Sequence, residues 1–513
     1  MTIEVDGHEV TVPDDGASLL EVLRDRIGIR TPKDGCSPQG QCGCCTVLVD
    51  GAPRVACVTP ARRVAGRRIT TIDALPDSQR WADAFCATGA SQCGFCTPGI
   101  IVRLAGLHAK GAGPDDVAAV ERSLAAHLCR CTGWRTILDA WRLATGGADP
   151  AACRTDRDLD AAATRAALEG GVAQRVAPEI ALGRGGFADD TAPPDALVAV
   201  PDGRGGWAVA ETLTEARAAA GKVQGRRTTI ELRHPLEVPP GAWAATLRTT
   251  WVEPAYLETD ASWCEPGGEP MTPLANGGAF GGKVESVAPG AARELANRYR
   301  RPVRVVLARE DTVRLGPKRP PIAGGARADG TGLIRVVRTA GVAAAITAYA
   351  PRLEAEEVDV AGPPTSIAPR AAGWAEAAVL LAGARGEAGP IVAPNGALAE
   401  AEVNADGVHV RVRAGEPLDE VVLRSYCTGA AHMALGWVSS EGIAVNAVGE
   451  PLDLTIRSFG VLRAVDTPPI EVEIEPDDRP PLNASDAVFA TVAAAAWIAQ
   501  GCPPEWPTGH RWR

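Results

Sequence analysis

Eight cysteines within the first 131 residues form two groups of four, and this pattern constrains the fold more than any other feature of the chain. The first group follows the spacing C-x5-C-x2-C-x11-C, and the second joins a CxxC to a later CxC. Thiolates at such spacings bind iron–sulfur clusters or zinc. The first quartet is Cys36, Cys42, Cys45 and Cys57, and the second quartet is Cys93, Cys96, Cys129 and Cys131.

The first quartet has the organisation of a plant-type [2Fe–2S] loop. Three cysteines of the quartet lie in the segment GCSPQGQCGCC, whose glycines allow the backbone to wrap around a cluster, and the fourth, Cys57, follows later. The first gap holds five residues, one more than the usual plant-type spacing. Cys44 precedes Cys45 directly, so the spacing leaves open which of the two sulfurs is the ligand. Structural zinc is the alternative, but zinc sites favour symmetric CxxC pairs.

The periodicity of apolar residues differs between the two quartets. Residues 2–12 and 46–58 alternate as strands do, with hairpin turns predicted at Asp6-Gly7 and Asp50-Gly51. One helix is predicted near residues 18–26. The segment from about residue 76 to 144 has apolar residues at helical spacing. We therefore expect a small β-rich domain over residues 1–75 and a helical domain over residues 76–145.

Composition and charge exclude several classes of protein. The chain has 513 residues, enough for several domains, and 46% hydrophobic residues. A net charge of −11 without a basic tract argues against nucleic-acid binding. No apolar run approaches the ~20 residues that span a bilayer. The N-terminal residues lack the pattern of a signal peptide, so we expect a cytoplasmic protein without disulfides and without membrane contact.

The first 145 residues resemble the iron–sulfur subunit of the molybdenum hydroxylases, the xanthine dehydrogenase family. GCSPQGQCGCCTVLVDG, QCGFCTPGI and LCRCTGW are each near matches to that family's motifs, in the family's order and separation. The resemblance implies a β-grasp fold for the first domain, a four-helix bundle for the second, and a [2Fe–2S] cluster in each. It also implies that Gln92 contacts the pterin beside the second cluster.

The rest of the chain resembles a shortened molybdopterin-binding subunit of the same family. Residues 146–175, rich in small and charged side chains, are predicted to form a linker. ALGRGGFADD and WAVAETLTEARAAAGKV, within residues 176–235, resemble fragments of that subunit's first domain. Residues 236–513 resemble its catalytic region. The expected fold class is therefore α+β and multidomain.

A glycine-rich loop, NGGAFGGKVES at residues 276–286, is the most informative feature of this half. It precedes a predicted helix at 288–299 and a strand at 303–307. Such a loop exposes backbone N–H groups to an anion, although a tight structural turn is the alternative. The resemblance implies that it cradles the cofactor and that Phe280 lies near the metal. The residues concerned are Gly277, Gly278, Ala279, Phe280, Gly281 and Gly282.

Three further positions match family motifs in order. Arg370, in PPTSIAPRAAGWAEAAVL, takes the place of the active-site arginine. His432, in GAAHMALGWVSSEG, falls where the family often has a cofactor-binding glutamine, although a packed histidine is the alternative. Asp486 takes the place of the catalytic glutamate, the general base. An aspartate is one methylene shorter, and the alternative is an acid at a helix N-terminus.

The resemblance implies a specific function and specific partners. The cofactors are two [2Fe–2S] clusters and molybdopterin in a dinucleotide form, and the reaction is water-dependent oxidation of a small aldehyde or N-heterocycle. No stretch resembles the family's flavin domain, so the expected electron acceptor is a separate flavoprotein, and a homodimer is also expected. The shortened second half and the missing active-site glutamine favour an alternative: an iron–sulfur electron-transfer or scaffold protein with a degenerate molybdopterin domain.

Overall fold

The computed structural model describes residues 1–147, 157–221, 231–272, 278–283 and 285–513. Gly277 lies outside these ranges, as do parts of the predicted linker and the end of the segment WAVAETLTEARAAAGKV. The strands are β1 Thr2–Val5, β2 His8–Thr11, β3 Thr46–Val49, β4 Ala52–Val55, β5 Arg68–Thr70, β6 Leu197–Pro201, β7 Trp207–Ala210, β8 Ala245–Arg248, β9 Ala261–Cys264, β10 Val303–Val306, β11 Ile322–Ala326, β12 Gly332–Val337, β13 Leu353–Val358, β14 Ile391–Val392, β15 Leu398–Asn404, β16 Gly407–Arg413 and β17 Ile470–Ile474.

Fourteen α-helices lie within the described ranges. Among these residues, no helix is both long and apolar enough to cross a lipid bilayer. The helices are α1 Leu19–Glu21, α2 Ser78–Ala87, α3 Thr97–His108, α4 Val117–Ser123, α5 Arg135–Ala144, α6 Leu159–Gly170, α7 Pro178–Ala181, α8 Leu213–Ala219, α9 Ala288–Tyr299, α10 Arg309–Leu315, α11 Val342–Tyr349, α12 Trp374–Arg385, α13 Glu420–Ser439 and α14 Ser485–Ala499.

The N-terminal residues form a five-stranded sheet with the strand order β2-β1-β5-β3-β4. Both predicted hairpins are present, because β1 pairs with β2 and β3 with β4, each antiparallel. Asp6, Gly7, Asp50 and Gly51 all have positive φ, between 48° and 85°. This is the backbone of a type I′ turn, which Asp-Gly favours. The strand pattern predicted over residues 46–58 ends before residue 58, since residues 56–58 form a 3₁₀ turn.

The helix predicted near residues 18–26 is present but irregular. Ser18 caps it by accepting a hydrogen bond from the Glu21 backbone. Regular α-helix ends at Glu21, and Val22–Ile27 continues as a π-helical turn. Helices α2 to α5 follow as four separate helices in the second unit, as the family resemblance implies for a helical cluster domain.

The remaining strands form three four-stranded sheets. Their strand orders are β7-β6-β10-β9, β13-β12-β11-β8 and β14-β15-β16-β17. The predicted helix at 288–299 is α9, and the predicted strand at 303–307 is β10, which ends one residue earlier. The two long helices α13 and α14 pack against each other and bury most of their residues. They bring the C-terminal part of the chain up to the second quartet.

The described part of the predicted linker contains the helix α6, which sequence reasoning missed. Its buried Arg165 donates to the carbonyls of Pro417 and Leu482. Asp158 caps the helix, and Gly171 ends it with φ 73°. The Ala-rich sequence gave no clear apolar stripe, so the burial of α6 depends on tertiary contacts that local pattern does not reveal.

Candidate iron–sulfur and active-site residues

The first quartet converges in one buried place. All four thiols are buried, with no residue more than 5% exposed. Hydrogen bonds from the thiols of Cys42 and Cys57 hold the pKa of Cys36 well below its ordinary value. The backbone N–H of Gln39 also donates to the sulfur of Cys36, over 3.2 Å. Such donors stabilise a thiolate, the form in which cysteine binds iron.

Both Cys44 and Cys45 contact other thiols of the first quartet. The sulfur of Cys45 accepts a hydrogen bond from the Cys57 backbone N–H at 3.4 Å and also contacts the Cys57 thiol. The Cys44 thiol lies 3.8 Å from the Cys42 carbonyl and also contacts the Cys42 thiol. The thiol contacts therefore run as a chain from Cys44 through Cys42, Cys36 and Cys57 to Cys45, with the two candidate ligands at opposite ends. The ligand assignment stays a prediction.

The second quartet is assembled from the N-terminal side of α3 and the LCRCTGW segment. The sulfurs of Cys93 and Cys131 lie 3.8 Å apart. Hydrogen bonds from the thiols of Cys131 and Cys96 hold the pKa of Cys129 well below its ordinary value. Thr132 adds a hydroxyl 3.2 Å from the Cys129 sulfur. Cys93 is half-buried, and the other three cysteines of the quartet are buried.

The two quartets are held in direct contact through their loops. The backbone N–H of Leu128, next to Cys129, donates to the carbonyl of Cys42 at 3.0 Å. The buried ring of His127 packs on Gly43, where an added β-carbon would lie 2.4 Å from the ring. Gly43 also has φ 74°, so both its backbone conformation and the lack of space for a β-carbon require glycine. The two cysteine loops therefore meet without intervening solvent.

Gln92 lies beside the second quartet, as the resemblance implies. Its Nε2 donates to the Cys131 carbonyl at 3.0 Å and to the Ser425 hydroxyl of α13 at 2.9 Å. Its Oε1 is buried without a hydrogen-bond partner among the described residues. An unpaired buried acceptor is costly, so this atom is suited to accept from a further group. Its contact with a pterin stays a prediction.

We call residues 278–282 the glycine loop. A β-carbon added to Gly278, which has φ 84°, would lie 2.9 Å from the Cys131 sulfur and 3.4 Å from the Cys93 sulfur. A β-carbon on Gly281 would lie 1.7 Å from the Ala368 carbonyl oxygen. The glycines therefore allow the loop to approach protein atoms closely on both sides. The Phe280 carbonyl accepts from the Arg370 backbone at 2.9 Å and joins the loop to the Arg370 segment.

Arg370 and Asp486 face each other at the other side of this loop. The Arg370 Nε atom lies 3.7 Å from the Asp486 carboxylate, and its side chain is 2% exposed against 34% for Asp486. The guanidinium stacks over the Phe280 ring at 4.1 Å. None of its three nitrogens has a hydrogen-bond partner among the described residues. Burial raises the pKa of Asp486 and lowers the pKa of Arg370, each opposed by the charge of the other.

Glu169 of α6 is a residue of this site that sequence reasoning missed. Its carboxylate accepts from the backbone N–H groups of Ala484 and Ser485, both at 3.0 Å, and from the Ser485 hydroxyl. It thereby caps α14 at the turn that carries Asp486. Asp486 itself lies in the first turn of α14, so the alternative of an acid at a helix N-terminus stays open. Local sequence carries no signal for this contact, because 315 residues separate Glu169 from Ala484.

His432 lies in α13, buried under the LCRCTGW segment. Its Nε2 is 3.1 Å from the Leu462 carbonyl, so the neutral tautomer protonated on Nε2 donates there. Burial lowers its pKa to about 4. It does not line the cavity beside Phe280 and Arg370. These contacts are those of a packed histidine, and a role in cofactor binding stays a prediction.

Comparison with known proteins identifies the family. Residues 1–70 match the family model of the 2Fe-2S iron–sulfur cluster binding domain, and residues 71–142 match that of the [2Fe-2S] binding domain. The chain is 38% identical over 128 residues to the xanthine dehydrogenase iron–sulfur-binding subunit of Escherichia coli O157:H7, covering 24% of this chain and 79% of that protein. The chain therefore belongs to the xanthine dehydrogenase family of molybdenum hydroxylases, and it has two [2Fe–2S]-binding domains.

Longer relatives are matched over a small part of their length. The aldehyde oxidoreductase of Megalodesulfovibrio gigas is 41% identical over 145 residues, which are 27% of this chain and 16% of that protein. For the xanthine dehydrogenase of Oryza sativa subsp. japonica, the match spans 28% of this chain and 11% of that protein, at 36% identity. The solved aldehyde oxidoreductase from Desulfovibrio gigas covers 85% of this chain and 73% of its own length, with a TM-score of 0.55 and 18% identity. The α+β multidomain fold class is thereby confirmed.

The residues fit the two kinds of cofactor differently. Each quartet brings four free cysteine side chains together, all buried except the half-buried Cys93, and so fits a [2Fe–2S] cluster. The cavity lined by Phe280, Arg370 and Trp437 leaves about 30 Å³ for the centres of water molecules, room for about two or three of them. The buried Oε1 of Gln92 and the guanidinium of Arg370 lack partners among the described residues and could meet a polar ligand, but this cavity is far smaller than a molybdopterin.

Proposed function

We propose that this chain is an oxidoreductase of the molybdenum hydroxylase type that acts by electron transfer through two [2Fe–2S] clusters. The observation that carries the proposal is the pair of buried cysteine quartets whose loops touch. Cys36, Cys42, Cys45 and Cys57 would hold one cluster, and Cys93, Cys96, Cys129 and Cys131 the other. When bound, each cluster accepts and releases one electron.

The residues between the quartets support this function by position. The hydrogen bond from Leu128 to Cys42 links a backbone next to one ligand with the backbone of another. Gly99 of α3 packs so closely on Gly43 that a β-carbon there would lie 2.3 Å from the Gly43 carbonyl oxygen. His127, 3% exposed, fills the remaining space. Close packing excludes water between the two ligand loops and keeps their separation fixed.

The proposal also implies that the chain works with other proteins and a small-molecule substrate. The relative in Escherichia coli is named a subunit, which supports a chain that works with separate proteins. A separate flavoprotein is the proposed electron acceptor, and a small-molecule substrate is oxidised in the same assembly. A homodimer and a cytoplasmic location also belong to the proposal. Unpaired cysteines in such number suit a reducing compartment.

Iron analysis and substitution of single cysteines test the proposal. Two clusters of two irons each predict four irons per chain and two distinguishable electron paramagnetic resonance signals after reduction. Cys129→Ser should remove one signal and leave the other. Cys86→Ser is the matched control, because Cys86 belongs to neither quartet, and it should leave both signals intact. Protein that binds no iron under anaerobic reconstitution would refute the proposal.

A second candidate function is water-dependent oxidation of a small aldehyde or N-heterocycle at molybdopterin in a dinucleotide form. One observation favours it: Arg370 and Asp486, which the resemblance places in the active site, face each other at 3.7 Å beside Phe280. In this candidate Asp486 acts as general base and Arg370 orients the substrate. Bleaching of the clusters by aldehydes or azaheterocycles in single-turnover mixing would support it. Protein inert to all of them would count against it.

A further inference from the structure

The space between the second quartet and the glycine loop decides whether this chain holds a large cofactor. The family resemblance puts a pterin at Gln92 and its metal end at the glycine loop. In the structure both places contact the same residue. Gln92 donates to the Cys131 carbonyl, and a β-carbon on Gly278 would lie 2.9 Å from the Cys131 sulfur. Gln92 and the glycine loop therefore both lie against Cys131.

The glycine loop is fixed in this position by protein atoms on its other side. A β-carbon on Gly282 would lie 2.4 Å from the Pro254 side chain, and Gly281 presses on the Ala368 carbonyl. The Gly282 backbone N–H is used within the loop, donating to the Ala279 carbonyl at 2.9 Å. Lys283, which follows the loop, donates to Glu258 at 2.8 Å. These groups are therefore engaged with the protein instead of facing an anion.

Aromatic side chains fill the remaining volume. The rings of Phe280 and Tyr426 meet edge to face, with centroids 6.1 Å apart. Tyr426 lies on α13 and is 2% exposed. The cavity that remains beside Arg370 leaves about 30 Å³ for the centres of water molecules, room for about two or three of them. A pterin is many times larger than that.

We infer that the glycine loop is a protein cover for the second quartet, lying directly on the Cys131 and Cys93 sulfurs in the space that the family resemblance assigns to molybdopterin. The glycines are required because the loop touches sulfur on one face and backbone on the other. This inference rests on the proposed function, since it presupposes a cluster in the second quartet. It assigns the C-terminal half the role of shielding that cluster from solvent.

Metal analysis is the first test. The full chain is purified from a host that assembles molybdopterin, alongside a family enzyme known to be loaded in that host. The inference expects four irons per chain, from two clusters of two irons, and no molybdenum. Molybdenum in a one-to-one amount together with the irons would overturn the inference and leave the proposed function intact. Absence of iron would instead refute the proposed function.

Substitution at Gly278 is the second test. Gly278→Ala puts a methyl group against the Cys131 sulfur, so the resonance signal and midpoint potential of the second cluster should shift while those of the first stay unchanged. The matched control is Gly267→Ala, which has a similar φ of 73° and nothing within 4 Å of the added carbon. It carries the same backbone strain without the contact. An unchanged second cluster in folded Gly278→Ala protein would overturn the inference, and the metal analysis decides independently if that variant does not fold.

Discussion

At the scale of single residues, the candidate active site depends on a carboxylate far away in sequence. Glu169 accepts three hydrogen bonds at the start of α14 and also pairs with Arg165, at 3.1 Å. Both side chains of the ion pair are fully buried. Because Asp486 occupies the turn that Glu169 caps, the distance between Asp486 and Arg370 is set by this contact. Glu169 is thus a positioning residue.

Substitution of Glu169 should therefore destabilise the chain strongly. Glu169→Gln leaves the Arg165 charge buried and unpaired, which typically costs about 3–5 kcal/mol. The matched control is Glu420→Gln, an exposed acid in the first turn of α13, expected to change the free energy of unfolding by less than about 0.5 kcal/mol. Chemical unfolding of both variants measures the difference. Equal effects would show that the Glu169 contacts contribute nothing specific.

Residues differ in how well the sequence alone could assign them. The two cluster-binding domains were predictable because ligand spacing is local and specific, and the two matching family models cover residues 1–70 and 71–142. The individual cysteine ligands stay a prediction. Arg370 and Asp486 were named from motif order alone, and the structure brings them together. Glu169 was not predictable, since an acid in an Ala-rich helix is usually exposed. The close approach of Gly278 to Cys131 was also hidden, because a glycine-rich loop binds phosphate in one fold and packs on protein in another.

At the scale of elements, the first-quartet loop and helix α3 of the second domain pack against each other through glycine residues. Gly99 is in the first turn of α3, and its α-carbon faces the carbonyls of Gly43 and Cys44. The helix therefore rests on the backbone of the first-quartet loop. Strands and hairpins of this region were predictable from Asp-Gly turns and alternation, which are local signals. The contact between helix and loop was not, because it joins elements more than 50 residues apart.

A methyl group at Gly99 should separate the two loops. In Gly99→Ala the new carbon would lie 2.3 Å from the Gly43 carbonyl oxygen and 2.9 Å from that of Cys44, so one backbone must shift. We expect weaker magnetic interaction between the two reduced clusters and a loss of about 1–3 kcal/mol of stability. Gly290→Ala in α9, with nothing within 4 Å, should leave the signals unchanged and stabilise the protein by about 1 kcal/mol. Unaltered signals in Gly99→Ala would contradict the predicted contact.

At the scale of the whole molecule, buried charges connect the iron–sulfur region to the C-terminal half. Arg304 on β10 donates to Asp25 over 2.8 and 3.0 Å and approaches Asp189 at 3.3 Å. Arg24 reaches Asp189 at 2.6 Å and Asp190 at 2.9 Å. Burial alone would raise the pKa values of Asp25 and Asp189, but the Arg304 charge holds both below their ordinary range. These contacts join segments that are up to 279 residues apart.

Removal of the Arg304 charge should lower the free energy of unfolding by an amount that depends on pH. Arg304→Met leaves Asp25 with Arg30 and Asp189 with Arg24 as remaining ion-pair partners, so the expected cost is about 1–3 kcal/mol near neutral pH. A carboxyl with a depressed pKa stabilises the fold above its unfolded pKa of about 3.9, and that stability is lost as the pH falls through the folded value. The difference in unfolding free energy between the wild type and Arg304→Met should therefore become smaller as the pH falls below about 4. The control is Arg301→Met, whose partner Glu211 is exposed, so its unfolding free energy should stay close to that of the wild type at every pH. Thermal unfolding of the three proteins at several pH values measures both effects, and a pH-independent gap would contradict the electrostatic origin of the junction.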